Sequence, residues 1–235
     1  SLFAAANVLF HLGLQFVALS GYGTRLALGV TAVLIGLIGG RITPSFTRNW
    51  MARLNVEPLP VPFARFDQAV LICAALAMAF WIVTPEAQTT GIVLVIAGVL
   101  HFARLLRWRG GHTLREPIVT ILHLGYGWLA LAFILMGLTL LAPAVIDASS
   151  AIHALTTGAI GTMTLAVMTR ASLGHTGRAI TANTATLAIY ALRTGATLLP
   201  IPYEQALMAG GTAWSVAFLL FFVAYAPILL RTHGR

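Results

Sequence analysis

The chain has no lysine, six acidic residues and a single cysteine among 235 residues. One cysteine, Cys73, excludes an intrachain disulfide framework and a thiolate metal cluster. It lies in an apolar run and reads as a small core residue. Charged residues make up only 9% of the chain, whereas soluble domains carry roughly 25%. That is too little polar surface to cover a water-soluble globule. Hydrophobic residues make up 59%, and the composition reads as a polytopic membrane protein. No serine–histidine–acid triad, phosphate-binding glycine loop or zinc motif appears, and buried carboxylates for hydrolysis are not evident within the spans.

Without lysine, fourteen arginines supply the whole basic complement and a net charge of +8. They sit in short gaps between apolar runs rather than along one face, which argues against a nucleic-acid partner. The arginine fork suits carboxylates such as propionates and the phosphates of membrane lipid. A GC-rich coding bias is the plainer explanation of the arginine excess. Ser1 opens directly into an apolar run with no basic leader, so no signal peptide is read. The lack of an initiator methionine suggests a fragment of a longer chain.

A helix needs about 20 apolar residues to cross a bilayer. Eight candidate spans follow: 2–19, 25–40, 67–84, 89–107, 117–142, 149–169, 180–199 and 206–230. The expected fold is therefore all-α, a polytopic transmembrane bundle forming one domain over 1–235. Pro117 suits a first helical turn, and Asp147, Ser149 and Ser150 offer N-caps. Arg41, Arg48, Arg53, Arg65, Arg107, Arg109, Arg115, Arg170, Arg178, Arg231 and Arg235 fall in alternate gaps, while the opposite gaps hold Glu86, Asp147, Glu204 and only Arg25. Positive charge marks the cytoplasmic side, so both termini of this chain are expected there. The long cytoplasmic gap after the second span holds Trp50 and Phe63, and is expected to carry an amphipathic interfacial segment.

Ionisable groups inside a bilayer are costly, so they mark candidate functional sites. His11, His101, His123 and His153 lie within spans, as does Arg193, and no span is expected to carry a buried acid that could pair them. Neutral imidazole binds haem iron or copper without carrying charge into lipid. His101 and His123 each lie six residues from the inner end of adjacent spans, about 9 Å deep at 1.5 Å per residue. They could grip a planar haem from both faces, with Arg104, one turn from His101, receiving its propionates. Two separate interhelical hydrogen bonds are the plainer alternative. A second constellation has helical spacing: His153, Thr157, Gly161, Thr164 and Met168 on one span, and Asn183, Thr186, Tyr190, Arg193 and Thr197 on the next. Arg193 is expected to meet a propionate, a lipid phosphate or an anionic substrate, or to line a water-filled cavity. Gly36 and Gly40, like Ala154 and Gly158, have the spacing of close helix packing.

The strings AIHALTTGAIGTMTLAVMTRASLGHTGR (151–178), GGRITPSFTRNW (39–50) and LHLGYGWLAL (122–131) resemble the NnrS family. The resemblance covers most of the chain. It implies a bacterial inner-membrane protein that binds haem b and copper and is linked to nitric oxide, denitrification and protection against nitrosative stress. Members have roughly twelve spans, so this chain would supply the C-terminal eight or be a shortened form. His175 and Arg178 of SLGHTGR match the family's motif. Gly174 and Gly177 would let His175 turn back toward a metal site. The expected metal ligands are thus His11, His101, His123, His153 and His175, with Arg104, Arg178 and Arg193 as cofactor-binding residues. The expected partners are membrane lipid, nitric oxide or a nitrosyl species, and an electron donor. Two other functions stay open: a metal-free anion or small-molecule transporter, and a subunit for sensing or assembly in which haem serves stability.

Overall fold

The computed structural model describes residues 1–195 and 203–230, without the side chains of Arg193 and of residues 195 and 203–207. All regular structure among the described residues is helical. Helices α1 (Leu2–Gln15) and α2 (Tyr22–Leu34) are followed by a π segment (Ile35–Gly39) and α3 (Gly40–Arg53). Next come α4 (Arg65–Val83), α5 (Gln88–Leu106) and α6 (Pro117–Leu141). A short α7 (Ala148–His153) runs through a second π segment (Ala154–Gly161) into α8 (Thr162–His175). Finally α9 (Thr184–Gly195) pairs with α10 (Tyr203–Leu230).

Six of these helical stretches are long and apolar enough to cross a membrane: Val17–Arg53, Arg65–Val83, Gln88–Leu106, Pro117–Leu141, Ala148–His175 and Met208–Leu230. The all-helical expectation holds, and the count of eight is not reproduced. The run 2–19 is broken after Gln15: Phe16 is extended and Gly21 takes a left-handed φ of 78°. The resulting 14-residue α1 is about 21 Å long, short of a bilayer core. The run 180–199 starts its helix only at Thr184, and residues 196–199 lie outside the described residues.

The second run differs in the other direction. Its helix continues past residue 40 to Arg53, with Pro44 inside it. The interfacial segment expected after residue 40 is therefore helical. Its Trp50 indole donates to the carbonyl of His112 at 3.1 Å, and Phe63 lies beneath the guanidinium of Arg41.

Helix α6 is the centre of the bundle. It packs on α3, α5, α7, α8 and both π segments, and Leu122, Tyr126, Leu129 and Phe133 are wholly buried. It is apolar all round, as a helix surrounded by protein must be. Its closest neighbour is α5, and glycine permits the approach. A Cβ on Gly98 would lie 2.7 Å from the Ala130 carbonyl oxygen, and one on Gly137 would lie 2.6 Å from that of Gly91. Small residues let helix backbones touch where lipid offers no hydrophobic drive.

Gly98→Ala should therefore destabilise the bundle by about 1–3 kcal/mol, because backbone cannot move aside as a side-chain tip can. Gly210→Ala in α10, where a Cβ meets open space, is the control and should be neutral or stabilising. Thermal unfolding in detergent, with equal midpoints for both variants and wild type, would contradict this packing.

Candidate functional site

Arg104 is the only arginine that the described core buries completely. Its position near the end of α5 places it among the first π segment, α3, α4 and α6. Nε donates to Asp67 Oδ1 at 2.7 Å. Nη1 donates to the Gly36 carbonyl and to the Tyr126 hydroxyl, each at 2.8 Å, and Nη2 donates to the Gly40 carbonyl at 3.2 Å. The guanidinium lies over the Trp108 ring, with its carbon 5.3 Å from the ring centre.

The local sequence explains why those acceptors are available. Pro44 has no N–H, so it cannot close the helical bond to the carbonyl four residues earlier, at Gly40. Arg104 supplies the missing donor. The π segment ends at Gly39, and both Gly39 and Gly40 leave room: a Cβ on Gly40 would lie 2.3 Å from Arg104 Nη1. The glycine pair at 36 and 40 thus serves as a cradle for a cation as well as a packing surface.

Asp67 corrects the expectation that the spans lack an acid to pair the buried cations. It sits in the first turn of α4 and is 3% exposed. Its second oxygen accepts from the Ala64 backbone N–H at 3.0 Å. The same contacts correct the role expected of Arg104. Its donors already have protein acceptors, so it is a structural pivot here and not an open site for propionates.

His101 and His123 are both buried on the adjacent helices α5 and α6, as their depth suggested. They do not face one another. His101 Nδ1 is 2.7 Å from the Tyr126 hydroxyl, and its ring stacks on Phe133 at 5.3 Å. His123 Nε2 is 2.8 Å from Thr47 Oγ1 on α3. Tyr126 and Trp108, 4.5 Å apart, touch His101 and His123 respectively and stand between them.

Each histidine keeps one buried nitrogen without a partner: Nε2 of His101 and Nδ1 of His123. Their protonation follows from counting hydrogens. The Tyr126 hydroxyl accepts from Arg104, so its own proton goes to His101 Nδ1, and Nε2 carries the His101 proton. The Thr47 hydroxyl donates to the Thr43 carbonyl at 2.8 Å, so it accepts from His123 Nε2–H. Nδ1 of His123 is left with a bare lone pair. It lies against Gly110, where a Cβ would come within 2.6 Å, and His123 borders a groove of about 580 Å³ walled by Phe102, Leu124, Trp128 and Leu131.

The other expected site residues lie apart from this cluster. His11 is exposed on α1, with its ring edge against Phe10. His153 is half-buried, and its Nδ1 donates to the Ser149 carbonyl at 2.8 Å, which leaves Nε2 as the nitrogen with a lone pair. His175 and Arg178 are exposed. The turn that SLGHTGR makes is a helix cap: Gly177, at φ 66°, donates to the Gly174 carbonyl, and the Arg178 N–H donates to that of Leu173. It closes α8 and does not fold His175 back into the core. The Arg193 side chain and Thr197 lie outside the described residues. Of the polar stripe around them, Tyr190 bonds to Thr169, and Thr186 bonds to Asn183 and Tyr225, so these polar groups are satisfied between helices. Among the described residues, no three histidine, cysteine or acidic side chains converge on one point.

The GGRITP segment, whose Gly40 carbonyl receives the buried Arg104, and the histidine of LHLGYGW come from strings that carry the family resemblance. The NnrS protein family profile matches residues 1–233. The chain belongs to the NnrS family. Neither a curated protein nor a solved structure matches it at comparable significance. For this NnrS member, sequence reasoning found Arg104, His101 and His123 and missed Asp67, Tyr126, Thr47 and Pro44. One signal was available: a buried arginine needs an acceptor, and Asp67 is the acid nearest the same end of the neighbouring helix.

Breaking one side of the buried pair should cost about 3–5 kcal/mol, because the other charge is stranded. Asp67→Asn and Arg104→Met should each lower the thermal midpoint of the purified protein sharply. The double variant should lose much less than the sum of the two. Additive losses in that cycle would mean the pair does not act as a unit.

Proposed function

We propose that this NnrS-family chain is an inner-membrane protein that acts in the response to nitric oxide and carries haem and copper, with both described ends of the bundle's arginine-rich side facing the cytoplasm. The observation that carries this reading is the bare Nδ1 of His123, buried and unpartnered beside a glycine and an apolar groove. Buried imidazoles in proteins nearly always use both nitrogens, and one held open is suited to a metal. The Thr47 contact on the opposite nitrogen would set the tautomer, as partners of metal-bound histidines do.

The donors fit a metal ligated by a single imidazole. They do not fit a haem clamped between His101 and His123, because the free nitrogens face Gly110 and Gly36 and two aromatic rings stand between them. His123 is the readier ligand, since the free nitrogen of His101 carries the proton. His153, with Nε2 unprotonated, is the next candidate and would suit copper. A bound transition metal would supply one-electron chemistry and a coordination position for nitric oxide. The chain's own part is to hold the imidazole, exclude water and admit a small uncharged substrate through lipid. A sensing or assembly role is compatible with the same ligands, and loss of nitric oxide turnover without loss of metal would favour it.

The test is pyridine-haem and copper analysis of protein purified from membranes. His123→Ala and Gly110→Leu should lower haem content severalfold at unchanged membrane abundance, while His101→Ala should lower it less. Metal-free wild-type protein would favour the transporter reading. Full haem content in His123→Ala would remove His123 as the ligand.

A further inference from the structure

Beside the groove that His123 borders, and sharing Leu106, Arg109 and Gly111 with it, the cytoplasmic end of α5 forms a second cavity of about 500 Å³. It is bounded by Pro58, Leu59 and Val61 on one side and by Leu106, Arg107, Arg109 and His112 on the other. Three features set it apart from an ordinary arginine-rich edge.

First, its cations are ordered but short of acceptors. Arg107 stacks on the Phe66 ring at 4.6 Å, and its Nη1 is buried with no hydrogen-bond partner. Its nearest acidic oxygen is Asp67 Oδ2, 3.6 Å away, a long ion pair without a hydrogen bond. Among the described residues, Arg109 makes no ion pair. Second, Arg109 is held at φ 58°, a left-handed conformation that is costly for a non-glycine residue. Third, the rim is apolar. Leu106 is 80% exposed and Val61 44%, both at the level where the apolar helix ends. The adjacent acid, Glu57, accepts from the Leu59 amide at 2.9 Å and does not bond either arginine.

A cavity flanked by two arginines, one of them paired to an acid only through a long ion pair, with an apolar lip at the membrane boundary has the chemistry of an anionic lipid site. We propose that the recess between residues 58–61 and the end of α5 binds the headgroup of an anionic phospholipid, its phosphate gripped by Arg107 and Arg109 and its chains lying over Leu106 and Val61. The arginine fork matches phosphate oxygens; Nη1 of Arg107 stays turned in toward Asp67, while the rest of its guanidinium, on a side chain 28% exposed, and the Arg109 guanidinium supply donors from two directions. The cytoplasmic leaflet is where anionic lipids concentrate. Bound there, the lipid would tie the 58–61 loop to α5 just below the Asp67–Arg104 pair.

The test uses the full chain in nanodiscs of equal phosphatidylglycerol and phosphatidylcholine, with retained lipid counted by native mass spectrometry. Wild type should retain phosphatidylglycerol preferentially, by about fivefold for each arginine engaged. Arg107→Gln and Arg109→Asn should each lower that preference about fivefold; asparagine tolerates the left-handed turn, so the backbone is kept. Arg48→Gln, which removes an exposed cytoplasmic-side charge elsewhere on α3, should leave the preference unchanged. Three results would overturn the proposal: no preference in wild type, an equal loss with Arg48→Gln, or loss of the preference on adding excess inorganic phosphate, which would point to a free-phosphate site instead.

Discussion

The architecture turns on one buried guanidinium. Arg104 joins four helical segments through Asp67, Gly36, Gly40 and Tyr126. An isolated charge inside a low-dielectric core is untenable, so every group around it is constrained to supply an acceptor. The helix before it must turn with a π segment and two glycines, and the proline at 44 must leave a carbonyl open. The first turn of α4 must place its carboxylate inward. A feature that looks like three separate local oddities in the chain is one solution to one electrostatic problem.

That solution also conditions the histidines. By donating to the Tyr126 hydroxyl, Arg104 fixes which way that hydroxyl points, and so where the His101 proton resides. His123 escapes this control because its partner is a threonine whose own proton is committed to the helix. Two histidines at the same depth, on neighbouring helices, are thereby made chemically different. The proposed metal role falls on the one whose free nitrogen keeps its lone pair. The proposed lipid site is connected to the same centre: Asp67, which accepts from Arg104 and from its own helix cap, also forms a long ion pair with Arg107, whose partly exposed side chain lines the recess.

Much of this was legible in the chain. Composition alone excluded a soluble globule, and apolar runs placed most helices within a few residues of where they lie. The arginine and histidines that matter were found as ionisable groups inside those runs. Less was legible about helix limits. A 14-residue α1 and the continuation of α3 through Pro44 depend on the left-handed turn at Gly21, on Gly23 packing against α1, and on a donor arriving from another helix. Neither is visible to hydropathy, which reads a run of residues and not what lies beside it.

Local periodicity and cost therefore determined the class of fold and the identity of Arg104, His101 and His123 as residues requiring explanation. Only the tertiary structure decided their partners. SLGHTGR shows the division well. Its glycines and histidine look the same in the chain whether they close a helix or build a metal site, and the packed backbone makes them a cap, with Gly177 left-handed and His175 exposed. Hydrogen-bond partners lie across helices, dozens of residues away, such as Thr47 with His123 and Asp67 with Arg104. Spacing along one helix carries no information about which neighbour meets it, because that is fixed by how closely the glycines allow whole helices to approach.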